Sequence, residues 1–163
     1  MRFMRLQSGP CFPRRLSAIA AAAALALAPA LSHAAGWSCW REASLRYHVP
    51  VDLLFSIAHV ESHVEKSPIH WNGDGTYDIG LMQINSSWLP TLRRYGITQK
   101  TLLTNACVNL NVGAWILSSD IHRYGLNWRG VGAYNAGTPY LQALYARNVA
   151  RELQRVERYG YGR

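Results

Sequence analysis

The sequence predicts a mainly α domain with a small β-hairpin, on the basis of three observations. Apolar residues recur at helical spacing along most of the chain after residue 38. The turn-forming run Asn72-Gly73-Asp74-Gly75 interrupts that spacing and is typical of a tight connection between short strands. No internal repeat, low-complexity tract or linker follows residue 34, so we expect one domain over residues 35–163.

The first 34 residues have the composition of a secretory signal peptide. Arginines at positions 2, 5, 14 and 15 precede the apolar run SAIAAAAALALAPAL, and Ser32 and Ala34 provide small residues before a cleavage site. We therefore expect residues 1–34 to be removed on export to the periplasm, which leaves no stable membrane span. An uncleaved anchor is the alternative, but Pro29 interrupts the apolar run, which is short against the roughly 20 residues of a membrane helix.

The rest of the chain is moderately basic. The formal net charge of the whole sequence is +8, and the arginines of the predicted signal peptide account for about half of it. A basic exported domain suits an anionic polymer such as a cell wall. Export from the cytoplasm argues against nucleic acid as a partner.

Cys39 and Cys107 are the two cysteines that follow the predicted cleavage site. An even number of cysteines in an exported chain predicts one disulfide, here between the first helix and a later one. Metal ligation by the two thiols is the alternative.

Helices are predicted along most of the domain. The first covers residues 39–47, and the second, residues 51–64, has Pro50 at its start, where proline is tolerated. Further helices are predicted over residues 88–95, 105–124, 128–136 and 139–158, with a short strand or hairpin over residues 77–84. The 105–124 helix is apolar on two sides and is therefore expected to lie in the core.

The last predicted helix has two distinct faces. Its apolar stripe consists of Leu141, Leu144, Tyr145, Val149 and Val156. Another face carries arginines at positions 147, 151, 155 and 158, and is either a solvated face or a docking surface.

Glu61 is the lone carboxylate in the apolar helical stretch 53–64. It follows Leu54, Ile57 and Ala58 at i, i+3, i+4, i+7 spacing, so the helix turns it toward the core. Burial disfavours the charged form of an acid and therefore raises its pKa. Enzymes that cut glycosidic bonds typically combine such an acid with a second carboxylate, and Asp78 lies in a polar turn segment nearby. A partly exposed Glu61 paired with a base is the alternative.

Three motifs resemble those of the soluble lytic transglycosylase domain: AIAHVES around Glu61, GLMQIN over residues 80–85 and AYNAG over residues 133–137. The segment 74–88 is also similar to the hairpin of c-type lysozymes, whose pattern is DGS-x-D-x-G-x-x-QINS-x-W. The combination is similar to the small transglycosylases that accompany secretion and conjugation machines. The resemblance implies an α+β lysozyme-like fold with the hairpin beside the active-site cleft.

The resemblance implies roles for both carboxylates. Glu61 matches the catalytic acid that protonates the glycosidic oxygen, which requires a proton held near neutral pH. Asp78 matches the second carboxylate of lysozymes, which acts as nucleophile or stabilises the oxocarbenium-like state. Typical lytic transglycosylases need no second carboxylate, because the 6-hydroxyl of the sugar attacks and leaves a 1,6-anhydro end. Asp78 is therefore either catalytic or an acceptor for turn amides, and Asp74 is expected to be a turn residue.

The same motifs imply a set of substrate-binding residues: Ser62, Gly80, Met82, Gln83, Asn85, Tyr134 and Asn135. Gln83 and Asn85 are expected on one strand, facing the same side by alternation, and a hydrogen-bonded hairpin without a ligand is the alternative. The phenol of Tyr134 is expected to approach Glu61 and orient its carboxyl group. Three tryptophans are candidates for stacking on sugar faces: Trp71, Trp88 and Trp128.

His59 and His63 flank Glu61 on the second helix and invite a zinc interpretation. The metalloprotease pattern places its glutamate directly after the first histidine, whereas here the glutamate comes two positions later. We therefore expect neither a metal nor another cofactor.

The resemblance and the two carboxylates together imply a monomeric, periplasmic lytic transglycosylase. Its expected reaction is cleavage of the β-1,4 bond between N-acetylmuramic acid and N-acetylglucosamine in peptidoglycan. Its expected partners are the glycan strands and components of a secretion or conjugation apparatus. Two alternatives stay open: a hydrolytic muramidase on the same scaffold, which leaves reducing ends, and a non-catalytic wall-binding assembly factor.

Overall fold

A computed structural model of the chain describes residues 28–161. The chain divides into two units, residues 1–33 and residues 34–163, and the fold described below is that of the second unit. The predicted signal peptide, residues 1–34, lies almost entirely outside the described residues and stays a prediction. Within residues 28–161, none of the helices combines the length and the apolar character needed to cross a membrane.

The described residues form helices around a small antiparallel sheet. The helices are α1 (Ala28–Tyr47), α2 (Val51–Ser62), α3 (Leu89–Arg93), α4 (Gln99–Thr104), α5 (Ala106–Tyr124), α6 (Trp128–Ala133) and α7 (Pro139–Tyr159). The strands are β1 (Ile69–Trp71), β2 (Tyr77–Ile79) and β3 (Ile84–Asn85), and a 3-10 turn (Ser86–Trp88) follows them. The predicted mainly α fold with a small sheet is therefore confirmed.

Helix α5 is the core helix that the sequence predicts. Leu110, Ala114 and Leu117 are buried on one side of it, and Val112 and Ile116 are buried on another. Each such aliphatic side chain contributes roughly 1.5–3 kcal/mol when it leaves water. Helix α5 packs against α4 and α6, and α7 packs against α6 and α2. These contacts bring α2 and α7, which lie far apart in sequence, against each other.

Helix α2 ends earlier than the sequence predicts, at Ser62 instead of residue 64. The reason is local: His63 and Val64 have φ values of 53° and 64°, in the left-handed region that ends a helix. The amide of His63 closes the last turn by donating to the carbonyls of Ala58 and His59. Glu61 therefore occupies the final turn of α2, just before the chain turns toward β1.

The sheet differs from the predicted strand over residues 77–84. That segment contains β2, a turn over residues 80–83 and the start of β3, because Gly80 and Gln83 take positive φ values of 71° and 46°. The first strand, β1, is not predicted by the sequence pattern. Its pairing places His70 opposite Asp78 and Trp71 opposite Tyr77, while Asp78 also lies opposite Asn85 in β3.

The predicted disulfide is present between Cys39 on α1 and Cys107 on α5. Their Cα atoms are 5.6 Å apart and 68 positions apart in sequence. By the loop-entropy model, a crosslink that closes a loop of this size contributes roughly 4 kcal/mol to stability.

Two further helices depart from the prediction. Helix α4 has no predicted counterpart, although Thr98 and Thr101 form a capping box at its start. On α7, the prediction that Leu141 and Leu144 belong to the buried stripe is wrong: they are 49% and 37% exposed. The buried face of α7 instead consists of Gln142, Tyr145, Ala146, Val149 and Val156.

Candidate active site

A cleft of about 370 Å³ contains both predicted carboxylates, Glu61 and Asp78. Most of its lining is polar, and the residues are Glu61, Asn72, Asp74, Thr76, Asp78, Gln83, Ile84, Asn85, Trp88, Ile116, Tyr134 and Asn135. Two other cavities, of about 480 and 510 Å³, have mostly apolar linings without a carboxylate. The polar cleft is therefore the candidate site for acid chemistry.

Glu61 is held in this cleft as a weak acid. The pKa of its carboxyl group is raised from 4.5 to about 7, chiefly because of burial and to a smaller degree because of the charge of Asp78. Hydrogen bonds to the side chains of Tyr145 and Asn135 oppose this rise. A carboxyl group with a pKa near neutrality keeps a large fraction of its protons there and is suited to general acid catalysis.

The phenol that donates to Glu61 is that of Tyr145, whereas Tyr134 lines the same cleft without the predicted hydrogen bond to this carboxyl group. Tyr145 Oη donates to Glu61 Oε1 at 2.5 Å, whereas Tyr134 Oη donates to the carbonyl oxygen of Met82 at 2.7 Å. The two rings lie side by side, with centroids 6.5 Å apart. Burial and the charge of Glu61 raise the pKa of both phenols well above the ordinary value, so both are donors at any physiological pH.

Helical spacing predicts only that Tyr145 belongs to the apolar stripe of the last helix. A signal was nevertheless present in the sequence, because a buried tyrosine hydroxyl needs a hydrogen-bond partner. Helix α7 supplies this hydroxyl because it packs directly on α2.

Asp78 is fixed by two amide donors, one on each carboxylate oxygen. Asn85 Nδ2 donates to Oδ1 at 2.8 Å, and Asn72 Nδ2 donates to Oδ2 at 3.0 Å. The same two amides donate to Thr76 Oγ1, each at 3.1 Å, so the group forms one network. Asn72 and Thr76 are site residues that sequence reasoning missed. The carboxylate is oriented toward the cleft by the sheet, since Asp78 pairs with Asn85 across β2 and β3.

Asp74 is a turn residue, as predicted. Its Oδ1 accepts from the backbone amide of Thr76 at 2.9 Å and from the Thr76 hydroxyl at 2.7 Å. These hydrogen bonds lower the pKa of Asp74. The side chain thus stabilises the turn between β1 and β2, next to the network around Asp78.

Gln83 and Asn85 both line the cleft, but strand alternation does not place them there. Gln83 lies in the turn, where its Nε2 donates to the Gly80 carbonyl at 2.7 Å and its Oε1 accepts from His70 Nδ1 at 2.5 Å. Asn85 is in β3 and also caps the following turn by accepting from the amide of Ser87. Tyr134 and Asn135 line the same cleft from the end of α6.

Three predicted binding residues do not line the cleft: Ser62, Gly80 and Met82. Ser62 is buried, and its hydroxyl donates to the Leu81 carbonyl at 2.7 Å. Gly80 leaves no room for a side chain, since an added Cβ would lie 2.4 Å from Asn109 Nδ2. Met82 is fully buried. These residues form the support behind the turn over residues 80–83, and their contact with substrate stays a prediction.

Asn109 on α5 supplies the hydrogen bonds that hold this support together. It is fully buried, accepts from the Met82 amide at 2.8 Å and donates to the carbonyls of Ile79 and Leu102 at 2.8 and 3.1 Å. The core helix therefore fixes the backbone of the turn, and a buried polar side chain of this kind is costly to leave unpaired.

Of the three candidate tryptophans, Trp88 alone lines the cleft. Trp71 packs against Tyr77 with ring centroids 4.8 Å apart, on the sheet face opposite to Asp78. Trp128 lines a different cavity, beside α7.

The two histidines around Glu61 lie edge to face, with ring centroids 5.3 Å apart. His59 Nδ1 lies 3.2 Å from Glu152 Oε1, whereas His63 is the left-handed residue that ends the helix. Among residues 28–161, no three histidine, cysteine, aspartate or glutamate side chains converge as a metal site would require.

Comparison with known proteins gives consistent matches over the region that forms the cleft. Residues 38–154 match the family described as Transglycosylase SLT domain. The chain is 44% identical over 124 residues to the Invasion protein IagB of Salmonella typhi, covering 76% of this chain and 78% of that protein. It is 38% identical over 108 residues to Protein IpgF of Shigella flexneri, covering 66% and 71%. A Peptidoglycan-binding-like protein of Escherichia coli O157:H7 is 37% identical over 107 residues, covering 61% and 64%.

Proposed function

Because the chain belongs to the Transglycosylase SLT domain family, whose members lyse peptidoglycan, we propose that it forms 1,6-anhydro ends at the N-acetylmuramic acid residues that it cleaves. The bond cleaved is the β-1,4 bond to N-acetylglucosamine. One observation carries this proposal: the Glu61 carboxyl group, with its pKa raised to about 7, lies in a polar cleft with a second, firmly held carboxylate.

The first step is proton transfer from Glu61 to the glycosidic oxygen. Oε1 accepts the hydrogen bond from Tyr145, so the proton resides on Oε2 and is available to the cleft. As the bond between C1 and the leaving oxygen breaks, positive charge develops on the sugar ring. The Asp78 carboxylate, oriented by Asn72 and Asn85, stabilises that charge.

The second step closes the anhydro ring. The 6-hydroxyl oxygen of the same sugar attacks C1, and its proton returns to the Glu61 carboxylate. One C–O bond breaks, one forms, and the acid is regenerated without consumption of water. An acid with a pKa near ambient pH can perform both proton transfers, because it gives and takes a proton at similar cost.

A muramidase is the second candidate, and the amide network around Asp78 favours it. A carboxylate held on both oxygens is suited to stabilise a glycosyl intermediate long enough for water to attack. Purified sacculi digested with the enzyme distinguish the two by mass spectrometry, because hydrolysis adds the mass of water to every released end. Anhydro ends are the expected product. Reducing ends alone would establish the muramidase.

Glu61→Gln tests the acid itself. The glutamine side chain has nearly the same shape as the carboxyl group of Glu61 but cannot donate a proton to the glycosidic oxygen. The variant is therefore expected to release no muropeptides while it still binds sacculi. The matched control is Glu65→Gln, an exposed carboxylate just beyond α2, which should retain full activity. Wild-type release by Glu61→Gln would remove the basis for the proposal.

We further propose that the enzyme acts in the periplasm and opens the wall locally for a secretion or conjugation apparatus. The disulfide is suited to that oxidising compartment, and the Salmonella relative is named an invasion protein. Complementation of a deletion strain tests this role. The wild type should restore secretion or plasmid transfer and Glu61→Gln should not; restoration by Glu61→Gln would instead indicate a non-catalytic assembly factor.

A further inference from the structure

The outer side of α7 carries a groove that the proposed reaction does not use. One cavity of about 510 Å³ includes Trp128, Ala143 and Ala150 in its lining, and an adjoining cavity of about 420 Å³ includes Leu144 and Arg151. Both cavities share Arg147 and Ala150, so they form one continuous groove along the helix. We name this surface, with Trp128, Leu144, Arg147, Ala150 and Arg151 as its markers, the α7 groove.

The α7 groove exposes side chains that are usually buried or paired. Trp128 is 48% exposed, Leu144 is 37% exposed, and neighbouring Tyr140 is 71% exposed. Contiguous exposed apolar side chains on a soluble domain are typical of an interaction site. Tryptophan, tyrosine and arginine are also the residue types that contribute most to protein–protein binding.

The charge of the groove is of one sign. Residues 125–151 contain no aspartate or glutamate, and their charged residues are Arg129, Arg147 and Arg151. Within the described part of the chain, neither Arg147 nor Arg151 has a carboxylate partner. Arg147 Nε donates to the Ala143 carbonyl at 3.3 Å, and Arg151 donates to Asn148 Oδ1 at 2.5 Å.

The other two arginines predicted to share this face are already engaged. Arg155 donates twice to Glu152 Oε1, at 2.8 and 2.5 Å, and Arg158 lies over the ring of Tyr159. Unpaired positive charge is thus concentrated at Arg147 and Arg151, directly beside the apolar lining.

The groove lies away from the reaction. Arg147 follows Tyr145 by two positions, which is about 200° around an α-helix, so the two side chains leave α7 on opposite sides. Tyr145 is buried against Glu61, whereas Arg147 is exposed. A ligand in the α7 groove therefore does not compete with glycan in the cleft.

Charge and shape together select one kind of occupant. A second copy bound through the same face would set one basic patch against another, because an isologous interface pairs the same patch of both subunits. A glycan strand needs hydrogen bonds to its hydroxyl groups, whereas most of the exposed surface that lines the groove is apolar. An amphipathic helix has the apolar ridge that such a groove accepts.

We propose that the α7 groove binds an acidic amphipathic helix of a partner protein. Apolar side chains of the partner pack between Trp128 and Leu144, and its carboxylates pair with Arg147 and Arg151. The inference is independent of the proposed cleavage chemistry, because it involves neither Glu61 nor any other residue of the cleft.

The test uses a synthetic helix of about five turns as the probe, labelled with fluorescein. Leucines repeat at i, i+3, i+4, i+7, and glutamates flank them. Anisotropy at low ionic strength should show saturable binding to the wild-type protein, and the indole fluorescence of Trp128 should change. Arg147→Glu with Arg151→Glu should weaken binding by about tenfold or more, because two charge pairs become repulsive. The same peptide with lysine in place of glutamate should bind this variant better than it binds the wild type.

Matched controls distinguish specific binding in the α7 groove from binding that depends only on the net charge of the protein or on the overall hydrophobicity of the peptide. Arg93→Glu with Arg94→Glu reverses two exposed arginines on and next to α3, and should leave the affinity unchanged. A peptide of the same composition with rearranged leucines should not bind. Lytic activity on soluble glycan chains should be the same in the Arg147/Arg151 variant as in the wild type, which also shows that this variant is folded.

Four results would overturn the proposal. The first is that the ordered and the rearranged peptide bind with equal affinity. The second is that Arg147→Glu with Arg151→Glu leaves the affinity for the peptide unchanged. A third is that this reversal abolishes pelleting of the Glu61→Gln protein with sacculi, which would make wall polymer the occupant. The fourth is a dimer in sedimentation velocity that Leu144→Ser dissociates, which would make a second copy the occupant.

Discussion

The hydroxyl of Tyr145 donates a 2.5 Å hydrogen bond to Oε1 of Glu61, across 84 positions of sequence. This contact joins the buried faces of α2 and α7, and it leaves the second carboxyl oxygen to carry the proton. Two effects on the acid oppose each other: burial raises the pKa of Glu61, and the phenol lowers it. Together with the smaller effects of Asp78, Asn135 and His70, the balance gives a pKa of about 7, which keeps the group useful as both acid and base.

Tyr145→Phe should raise the pKa of Glu61, because the hydrogen bond that stabilises its ionised form is lost. The alkaline limb of the pH–rate profile should therefore move to higher pH. The maximal rate should fall by about 10–100-fold, since a hydrogen bond to a charged group contributes roughly 1.5–3 kcal/mol. Turbidity clearing of sacculi from pH 5 to 9 measures both effects.

Tyr134→Phe is the control for that experiment, because its phenol donates to the Met82 carbonyl and not to Glu61. The control variant should be less stable but should keep the midpoint of the alkaline limb. If Tyr134→Phe moved that midpoint and Tyr145→Phe did not, the assignment of the two phenols would be reversed.

Asp78→Asn should slow cleavage by about 100–1000-fold if its charge stabilises the developing cation. It should also move the alkaline limb to lower pH, because the charge of Asp78 raises the pKa of Glu61. The shift is opposite in sign to that of Tyr145→Phe.

Asp74→Asn, in the same turn region, removes a carboxylate that binds Thr76 and should change the rate little. Equal rates for Asp78→Asn and wild type would reduce Asp78 to a structural acceptor.

The buried acid should also make stability depend on pH. The pKa of Glu61 is about 7 in the folded state against 4.5 as the reference for the unfolded chain, so the folded state binds more protons between these values. Stability therefore falls as the pH rises from about 4.5 to about 7. Glu61→Gln removes this penalty and should be more stable than the wild type at pH 8, by about 3 kcal/mol.

Urea unfolding of the wild type and of Glu61→Gln at pH 4 and pH 8 measures that difference. The two proteins should differ less at pH 4, where Glu61 is protonated in both folded and unfolded states. A difference in unfolding free energy that is the same at both pH values would show that the carboxyl group is not buried as described.

Asn109→Ala should destabilise the domain by about 3 kcal/mol or more, since it leaves the Met82 amide and the Ile79 and Leu102 carbonyls without their buried partner. Asn111→Ala is the matched control, because the Asn111 amide bonds only to the Cys107 carbonyl within the same helix. Thermal unfolding by circular dichroism compares the two. Equal melting temperatures would remove Asn109 as the support of the turn over residues 80–83.

The position of Glu61 could be predicted from sequence because one helical period decides which side of α2 is buried. The partner of Glu61 could not be predicted in the same way. Helical spacing places Tyr145 on the buried face of α7, but the contact with α2 depends on how two distant helices pack. Asn109 illustrates the same limit, since its three hydrogen bonds reach the end of β2, the turn over residues 80–83 and helix α4.

The hairpin shows a different limit. Alternation along a strand predicted that Gln83 and Asn85 face the same side, and both do line the cleft. The reason differs, because Gln83 has a φ of 46° and lies in a turn. A glutamine rarely takes this conformation, so residue type alone gives no indication of it.

The state of the Glu61 carboxyl group can be measured directly by carbon-13 NMR. Glutamate labelled at Cδ is incorporated into the protein, and the resonance of Glu61 is assigned by its absence from Glu61→Gln. Its chemical shift is then followed from pH 3 to pH 9. We predict a titration midpoint near pH 7, as expected for the buried acid. A midpoint near 4.5, the ordinary value for glutamate, would contradict a proton-donating role for this residue at neutral pH.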